Sequence, residues 1–286
     1  MDLFIQLLVN GIANGSQYAL LGIGFALIFG TTGIAHFAYG PLFAASAYII
    51  WWLVMMGIPF VPAILIAVAV SALLGMASYV LVYQPLVERD SSAFVILVTS
   101  LGLFIIITNL ISIIFGTDAK TLNNVGYGIY FIGDAVVSGI QIAQVILLGA
   151  VALLLQLFLK HTGWGQAIRA VTNNPEMARV VGIDTHKVVL MVFAAGSGIA
   201  CLASACLLLR DGASTHVGFL SVFYAFIAVV VGGVGSIWGA VIGGLALGLL
   251  ESIGMWKLPS EWQSTIAFLV LFVVILWRPT GLLKGQ

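Results

Sequence analysis

Apolar residues run through this chain in long stretches, at about 4–30, 37–57, 60–83, 93–116, 141–159, 188–209, 218–232, 237–255 and 263–277. A helix needs roughly 20 such residues to cross the hydrocarbon core of a bilayer. The pattern predicts an all-α, polytopic membrane protein with eight or nine transmembrane helices, folded as a single transmembrane domain over 1–286. The count turns on 218–232 and 237–255, which are either two full spans or pieces of one span broken at Gly232-Gly233-Val234-Gly235-Ser236. Between the fourth and fifth runs, 117–140 is polar with alternating Tyr127, Ile129 and Phe131, and predicts a short external hairpin.

The longest polar interval is Lys160 to Lys187, and it predicts two short helices rather than a featureless loop. Trp164, Ala167, Ile168 and Val171 recur at helical spacing, with Gln166 and Arg169 off that face, as in an amphipathic helix lying on a membrane surface. The chain then resets. Asn174 is a good N-cap, Pro175 fits the first helical position, and Gly182 can close the helix in a left-handed conformation. Glu176 lies near the positive end of this second helix and Arg179 near the negative end, as the macrodipole prefers. Met177, Val180 and Val181 share one side, with Ala178 between them in sequence. A capped helix with an apolar side, held outside the bilayer, is suited either to dock into another protein or to serve as a plain surface connection.

Composition agrees with the membrane assignment: 62% of the 286 residues are hydrophobic and 7% charged, with mean hydropathy +1.20. A soluble domain carries about 25% charged residues. The net charge is zero, which implies no nucleic-acid partner. Cys201 and Cys206 lie five apart in one apolar run, so they do not face each other and are expected to pack rather than to form a disulfide or metal site. The first segment lacks a basic start and a small-residue cleavage site and is expected to be a retained span. Basic residues favour the cytoplasmic side. Alternation from Lys160–Lys187 puts Arg89, Lys160, Arg169, Arg179, Lys187, Arg278 and Lys284 inside, against Lys120, Arg210 and Lys257 outside, so the C-terminus is expected in the cytoplasm.

The polar residues inside the apolar runs carry the candidate chemistry. Gln6, Asn10, Asn14 and Gln17 follow one helical face of the first span. Amides facing lipid are costly, so these bond between helices or line a substrate path. Gly22, Ala26 and Gly30 form a small-residue face on the same helix. Gly30 and Gly33 then end it, and His36, Phe37, Ala38, Tyr39 and Gly40 follow. Gly232 to Gly239 repeats the outline of glycines, aromatic and glycine, which suggests helix breaks in corresponding places of two halves. Gly235, Gly239 and Gly243 fall on one face beyond that break, with Ala240, Gly244 and Gly248 on the next, and predict backbone-to-backbone packing. In the fourth span, Thr99, Ser100, Thr108, Asn109 and Ser112 can bond back within the helix or reach across to another, and Asn109 is the one expected to have more than a structural role. Glu251 reads as a solvated or interfacial carboxylate, with ion coupling the alternative.

The sequence has no phosphate-binding loop of the G-x-x-x-x-G-K-[ST] kind, no H-E-x-x-H, no Cys/His cluster and no G-x-S-x-G. Nor does a chain of intramembrane charges suggest proton or sodium coupling. An enzyme is therefore disfavoured, no cofactor is expected in this chain, and any energy source lies elsewhere.

Several stretches together resemble one family. They are NGIANGSQYALLGIGFALIFGTTGIAHFAYG at 10–40, LVTSLGLFIIITNLI at 97–111, GWGQAIRAVTNNPEMARVVGID at 163–184, VVGGVGSIWGAVIGGLALGLLE at 230–251 and RPTGLL at 278–283. The resemblance is to LivH-type permease subunits of bacterial ATP-binding-cassette importers for branched-chain amino acids, the hydrophobic amino acid uptake family. It implies a fold like the type II importers and a place in the bacterial inner membrane. It also implies a LivM-type permease partner, two cytoplasmic ATPase subunits that bind ATP and Mg, and a periplasmic substrate-binding protein. It makes 163–184 the segment that enters a cleft in the ATPase, with Arg169, Asn174, Pro175, Glu176, Met177, Ala178, Val180, Val181 and Gly182 as coupling residues. Asn10, Asn14, Gln17, His36, Tyr39 and Asn109 are the expected path residues, and Gly22, Gly30, Gly33, Gly235, Gly239 and Gly243 the expected packing residues. One departure is His36-Phe37-Ala38-Tyr39-Gly40, where the family usually shows a motif like Asn-Phe-Ala-His-Gly. It leaves urea, short amides or aromatic acids open as cargo. A secondary transporter or channel working alone is the alternative from another class.

Overall fold

The computed structural model describes residues 2–122, 128–132, 135–278 and 280–283. Each apolar run lies on a helix: α1 Asp2–Thr32, α2 Tyr39–Met55, α3 Phe60–Ser78, α5 Ala93–Phe115, α6 Gly139–His161, α9 Thr185–Arg210, α10 Val217–Gly232, α11 Ile237–Gly254 and α12 Gln263–Trp277. Among the described residues six helices, Phe4–Thr32, Phe60–Glu88, Ala93–Phe115, Gly139–His161, Thr185–Arg210 and Ile237–Gly254, are long and apolar enough to cross a membrane. Tyr39–Met55, Val217–Gly232 and Gln263–Trp277 are shorter apolar helices. The chain is thus an all-α, multi-pass membrane protein. α3 continues through a π-helical turn, Tyr79–Tyr83, into the short α4, Gln84–Glu88.

Contacts divide the chain into two compact units, one of 1–26, 123–153 and 223–286, the other of 27–122 and 154–222.

In the first unit the glycines set the packing. A Cβ on Gly244 would collide with the backbone of Ala19, and one on Gly248 with the backbone of Gly15, so α1 and α11 touch main chain to main chain. Residue numbers rise on one helix as they fall on the other, so the pair is antiparallel. Gly239 meets Gly232 and Gly243 meets Ala228 in the same way. α10 and α11 are therefore an antiparallel hairpin, and the break at 233–236 is a turn between two helices rather than a kink inside one. The turn needs glycine twice, at Gly233 with φ 113° and Gly235 with φ 82°. Ser236 then caps α11, its hydroxyl accepting from the Gly239 amide at 3.0 Å. The C-terminal segment closes over this turn. The amides of Leu282 and Leu283 donate to the carbonyls of Val231 and Gly232, both at 2.9 Å. Two of the carbonyls that every helix end leaves unpaired are satisfied in this way.

A hairpin lies in the same unit, β1 Ile129–Ile132 against β2 Ala135–Ser138, with Ile129 opposite Ser138. This places the expected hairpin, with Ile129 and Phe131 in it; Tyr127 lies outside the described residues, as does Lys284. Gln6 extends the ladder, its Oε1 accepting from the Val136 amide at 2.8 Å and its Nε2 donating to the Val136 carbonyl at 3.1 Å.

The second unit is built around α2, buried along most of its length. α3 packs on α9 through a stripe of small residues, Ala63, Ala67, Ser71 and Gly75, spaced by four. A Cβ on Gly75 would meet the Phe193 carbonyl at 2.8 Å. This contact has the small-xxx-small form common between membrane helices. The Ser46 and Ser71 hydroxyls bond at 2.7 Å and tie α2 to α3. Cys201 and Cys206 are free and buried. At one end of the unit Lys120 and Ala213 exchange backbone bonds of 2.9 and 2.7 Å, joining the segments that follow α5 and α9. Tyr79 and His186, with rings 5.6 Å apart, join the end of α3 to the start of α9.

Candidate functional site

The polar interval folds as two short helices, α7 Gly163–Asn173 and α8 Pro175–Val180. Thr162 caps α7, its hydroxyl accepting from the Gly165 amide at 3.0 Å. Gly165 sits where any Cβ would collide with the backbone of Phe158 and Leu159, so the tight turn out of α6 requires it. The buried face of α7 is Gly165, Ile168 and Val171. Of the expected apolar face, Ile168 and Val171 pack inward, while Trp164 is 44% exposed. The Thr172 hydroxyl donates to the Thr31 hydroxyl at 3.1 Å, fastening α7 to the last turn of α1.

α8 has the ends its sequence called for. The Asn174 side-chain oxygen accepts from the amides of Glu176 and Met177, both at 3.0 Å, and Pro175 follows the cap. Gly182, at φ 86°, ends the helix while the Ile183 amide donates back to the Ala178 carbonyl at 2.9 Å. Asp184 then caps α9. The backbone amide of Lys187, and after it the Lys187 ammonium, hold its carboxyl below the usual carboxylate range. Only Ala178 of α8 is buried, while Met177, Val180 and Val181 are 61%, 79% and 73% exposed. Arg169 is exposed as well. A rigidly capped helix thus presents three apolar side chains that nothing among the described residues covers.

A second constellation lies at the first helix break. Gly33, at φ 68°, ends α1, and no atom lies within 4 Å of where its Cβ would be. Its place is conformational and not a packing contact, and the same holds for Gly235. Gly22 meets the Cβ atoms of Ala228 and Ala240 at 3.4 and 3.6 Å, whereas Gly30 is half-buried near the end of α1. After the break the chain is held by Ser100, whose hydroxyl oxygen accepts from the amides of Phe37 at 2.7 Å and Ala38 at 3.3 Å. Tyr83 donates to the same oxygen at 2.9 Å. Nδ1 of His36 and the Tyr83 oxygen share a hydrogen bond of 2.7 Å. His36 is fully buried, packed against Phe193, and its Nε2 has no partner among the described residues. Tyr39 is fully buried too, with its hydroxyl 3.4 Å from the Gly196 carbonyl.

The sequence allows Ser100 to bond within its helix or across to another element, and the structure shows the second; Tyr83 carries no signal of its own role. Thr99 does back-bond, to Val95 at 2.8 Å, but Ser100 does not. The sequence there shows Tyr79 and Tyr83, four apart in an otherwise aliphatic run. The π-helical turn at 79–83 carries both rings, and such turns recur at functional positions.

The remaining polar positions separate. Asn10 accepts from Gln6 at 3.3 Å and from Gln141 at 3.4 Å, so its oxygen is used between elements of the first unit. Gln17 is buried, Asn14 half-buried. Asn109 is exposed, and its amide donates to the Ile105 carbonyl of its own helix at 2.7 Å. Glu251 is not solvated. It is fully buried, with Oε2 accepting from the Tyr18 hydroxyl at 2.9 Å and from the Gln263 amide at 3.2 Å. Among the described residues no group of three or more His, Cys, Asp or Glu side chains is placed to hold a metal ion.

Helices of membrane-crossing length, a glycine-tight hairpin and a capped, exposed pair of short helices define a polytopic membrane protein. The chain belongs to the family described as branched-chain amino acid transport system / permease component, which matches residues 7–275. It is 32% identical to the high-affinity branched-chain amino acid transport system permease protein BraD of Pseudomonas aeruginosa, over 98% of this chain and 95% of that one. It is likewise 32% identical to the permease protein LivH of Escherichia coli K12, with the same coverage. Among solved structures, a chain of PsaBC from Streptococcus pneumoniae, in complex with Fab, matches with TM-score 0.53 at 13% identity, over 98% of this chain and 93% of that one.

Proposed function

We propose that this chain is the transmembrane permease subunit of an ATP-driven importer that carries branched-chain amino acids, or a close chemical relative, across the bacterial inner membrane. The observation that carries the proposal is α8: capped at both ends, outside the spans, with Met177, Val180 and Val181 exposed. Family membership supplies the partner class. α8 docks into one of two cytoplasmic ATPase subunits, which bind ATP and Mg. A LivM-type permease completes the path, and a periplasmic binding protein delivers cargo.

The antiparallel hairpin of α10 and α11 supports nine crossings rather than eight. The shortest of the nine apolar helices, Gln263–Trp277, has 15 residues and is about 22 Å long at 1.5 Å per residue, short of a 30 Å core unless the membrane thins around it. With nine crossings and α7–α8 in the cytoplasm, the C-terminus is cytoplasmic and the N-terminus outside. Asn10, Asn14, Gln17, His36, Tyr39 and Asn109 are the candidates for bordering the path, with Asn109 the weakest because its amide bonds within its own helix.

The test is uptake by the reconstituted complex of this chain, its partner permease, the ATPases and the binding protein. ATP-dependent accumulation of labelled leucine, isoleucine or valine is expected. Uptake of a neutral amide such as urea in their place would move the cargo and leave the permease assignment intact. Accumulation without the ATPases would overturn it in favour of a transporter working alone.

A further inference from the structure

Beyond the transport role, the second unit contains a groove of about 940 Å³ whose walls are almost wholly apolar. Its floor is one side of α2, at Leu42, Ala45, Ile49 and Leu53. One wall is α3, at Ile66, Val70, Leu74 and Leu81, positions that repeat at helical spacing. The other is α5, from Leu103 through Ile107 and Ile111 to Phe115. The groove follows α3 from Ile66 to Val82, about 24 Å at 1.5 Å per residue. Trp51, Trp52 and Lys120 lie at one end of it.

That end is chemically distinct. The Lys120 ammonium lies 5.5 Å from the Trp51 ring centroid, a cation over an aromatic face. The other basic residue nearby in this unit, Arg210, is neutralised by Asp211 at 2.8 Å. Lys120 makes no ion pair among the described residues, and its backbone is pinned by Ala213 on both its N–H and its C=O. A fixed, unneutralised cation beside two tryptophans marks the level of lipid headgroups. Below it the groove offers only hydrocarbon.

We infer that this groove is a binding site for an anionic phospholipid, with its acyl chains between α3 and α5 and its phosphate at Lys120. The chemistry of the Lys120 end selects the occupant: a cation beside two tryptophans above a hydrocarbon-lined groove fits an anionic headgroup with acyl chains. The groove is deeper along its axis than one leaflet of a roughly 30 Å core, so extended chains can enter fully. Leu74, Leu110 and Ile114 are 40%, 49% and 69% exposed, which is the surface such chains would cover.

The test uses the full importer complex, purified in detergent and supplied with dioleoyl phosphatidylglycerol or dioleoyl phosphatidylethanolamine. Native mass spectrometry counts the lipid retained, and a photoactivatable acyl-chain lipid maps contacts by peptide. One phosphatidylglycerol per copy of this chain is expected, with labels concentrated on 66–82 and 103–115. Leu74→Trp with Leu110→Trp fills the groove and should cut retention at least fivefold. Lys120→Gln, on an exposed loop, should remove the preference for phosphatidylglycerol while the apolar labelling persists. Labels spread equally onto the outward side chains of Ile146 and Leu153, or retention equal in the filled variant, would overturn the site. Disulfide capture of the partner permease by Ile106→Cys would show that protein covers it, and would overturn it equally. Should the double tryptophan variant fail to assemble, the wild-type label map and Lys120→Gln decide alone.

Discussion

The His36 Nδ1 lies 2.7 Å from the Tyr83 hydroxyl, deep in the second unit, and this bond joins the first helix break to the π-helical turn of α3. Tyr83 in turn bonds Ser100, which holds the amides of Phe37 and Ala38. The Phe37 amide also meets the Ala35 carbonyl at 3.0 Å, so the Ala38 amide is the one that depends on Ser100. Unpaired in an apolar interior it would cost several kcal/mol, and the Ser100 hydroxyl, bonded in turn by Tyr83, removes that cost.

Tyr83→Phe keeps the ring and deletes the link. The Ser100 oxygen still serves the two amides, but His36 Nδ1 is left buried without a partner. The expected loss is about 1–3 kcal/mol, the cost of an unsatisfied buried polar group. It is measured as a lower midpoint of denaturation in detergent, with the complex still assembled. An unchanged midpoint would show that His36 finds another partner.

Two glycines give opposite expectations for the same substitution. Gly248→Ala puts a methyl into the Gly15 backbone, where nothing flexible can move aside, and should abolish assembly of the chain in the membrane. Gly149→Ala, in the middle of α6 with no atom within 4 Å of the new Cβ, should be neutral or stabilising by up to about 1 kcal/mol. Expression level and thermal stability of the two variants side by side read this out. Similar behaviour would mean that α1 and α11 do not touch as closely as described.

Much of this architecture is legible in the sequence, because hydrocarbon allows few alternatives to a helix. The nine apolar runs lie on helices, and the ends of α8 follow from Asn174, Pro175 and Gly182, whose chemistry acts within four residues. What could not be read depends on partners distant in the chain. Glu251 looks solvated because it lies near the end of its run, yet it is buried and bonded by Tyr18 and Gln263. Ser100 and Asn109 look equivalent as polar residues on one helix, and only the position of the 33–38 break separates the residue that holds a neighbour from the one that bonds to itself. Gly33 and Gly235 resemble the packing glycines by spacing, but positive φ angles of 68° and 82° give them a different task.

The exposed side of α8 can be tested without disturbing the fold. Val180 is 79% exposed, so Val180→Asp breaks no buried contact and leaves the Asn174 cap intact. If this side enters the ATPase, a carboxylate there loses its water on docking, at a cost of several kcal/mol. ATP hydrolysis should persist while uptake falls at least tenfold. Normal uptake by Val180→Asp in an assembled complex would remove α8 from the coupling role.

The path itself makes the sharpest demand, because its expected residues are closed in this conformation. Gln17, His36 and Tyr39 are buried, and Asn14 is half-buried. A solute can pass them only if the helices around them separate, so water must reach these positions in some states and not in others. Single cysteines at 14, 17, 36 and 39, in a background where Cys201 and Cys206 are replaced by alanine, test this with a small water-soluble thiol reagent. In the resting complex His36→Cys and Tyr39→Cys should label slowly. Binding of ATP or of the loaded binding protein should raise the rate at least tenfold, since a thiol in apolar surroundings is both un-ionised and inaccessible. Asn109→Cys is the internal control: it points outward on α5, and its labelling should not respond to nucleotide. Asn109→Ala should likewise import at the wild-type rate. If the four path positions stay unlabelled in every state and their alanine variants transport normally, the His36–Tyr83–Ser100 cluster is a fixed brace and the solute passes elsewhere.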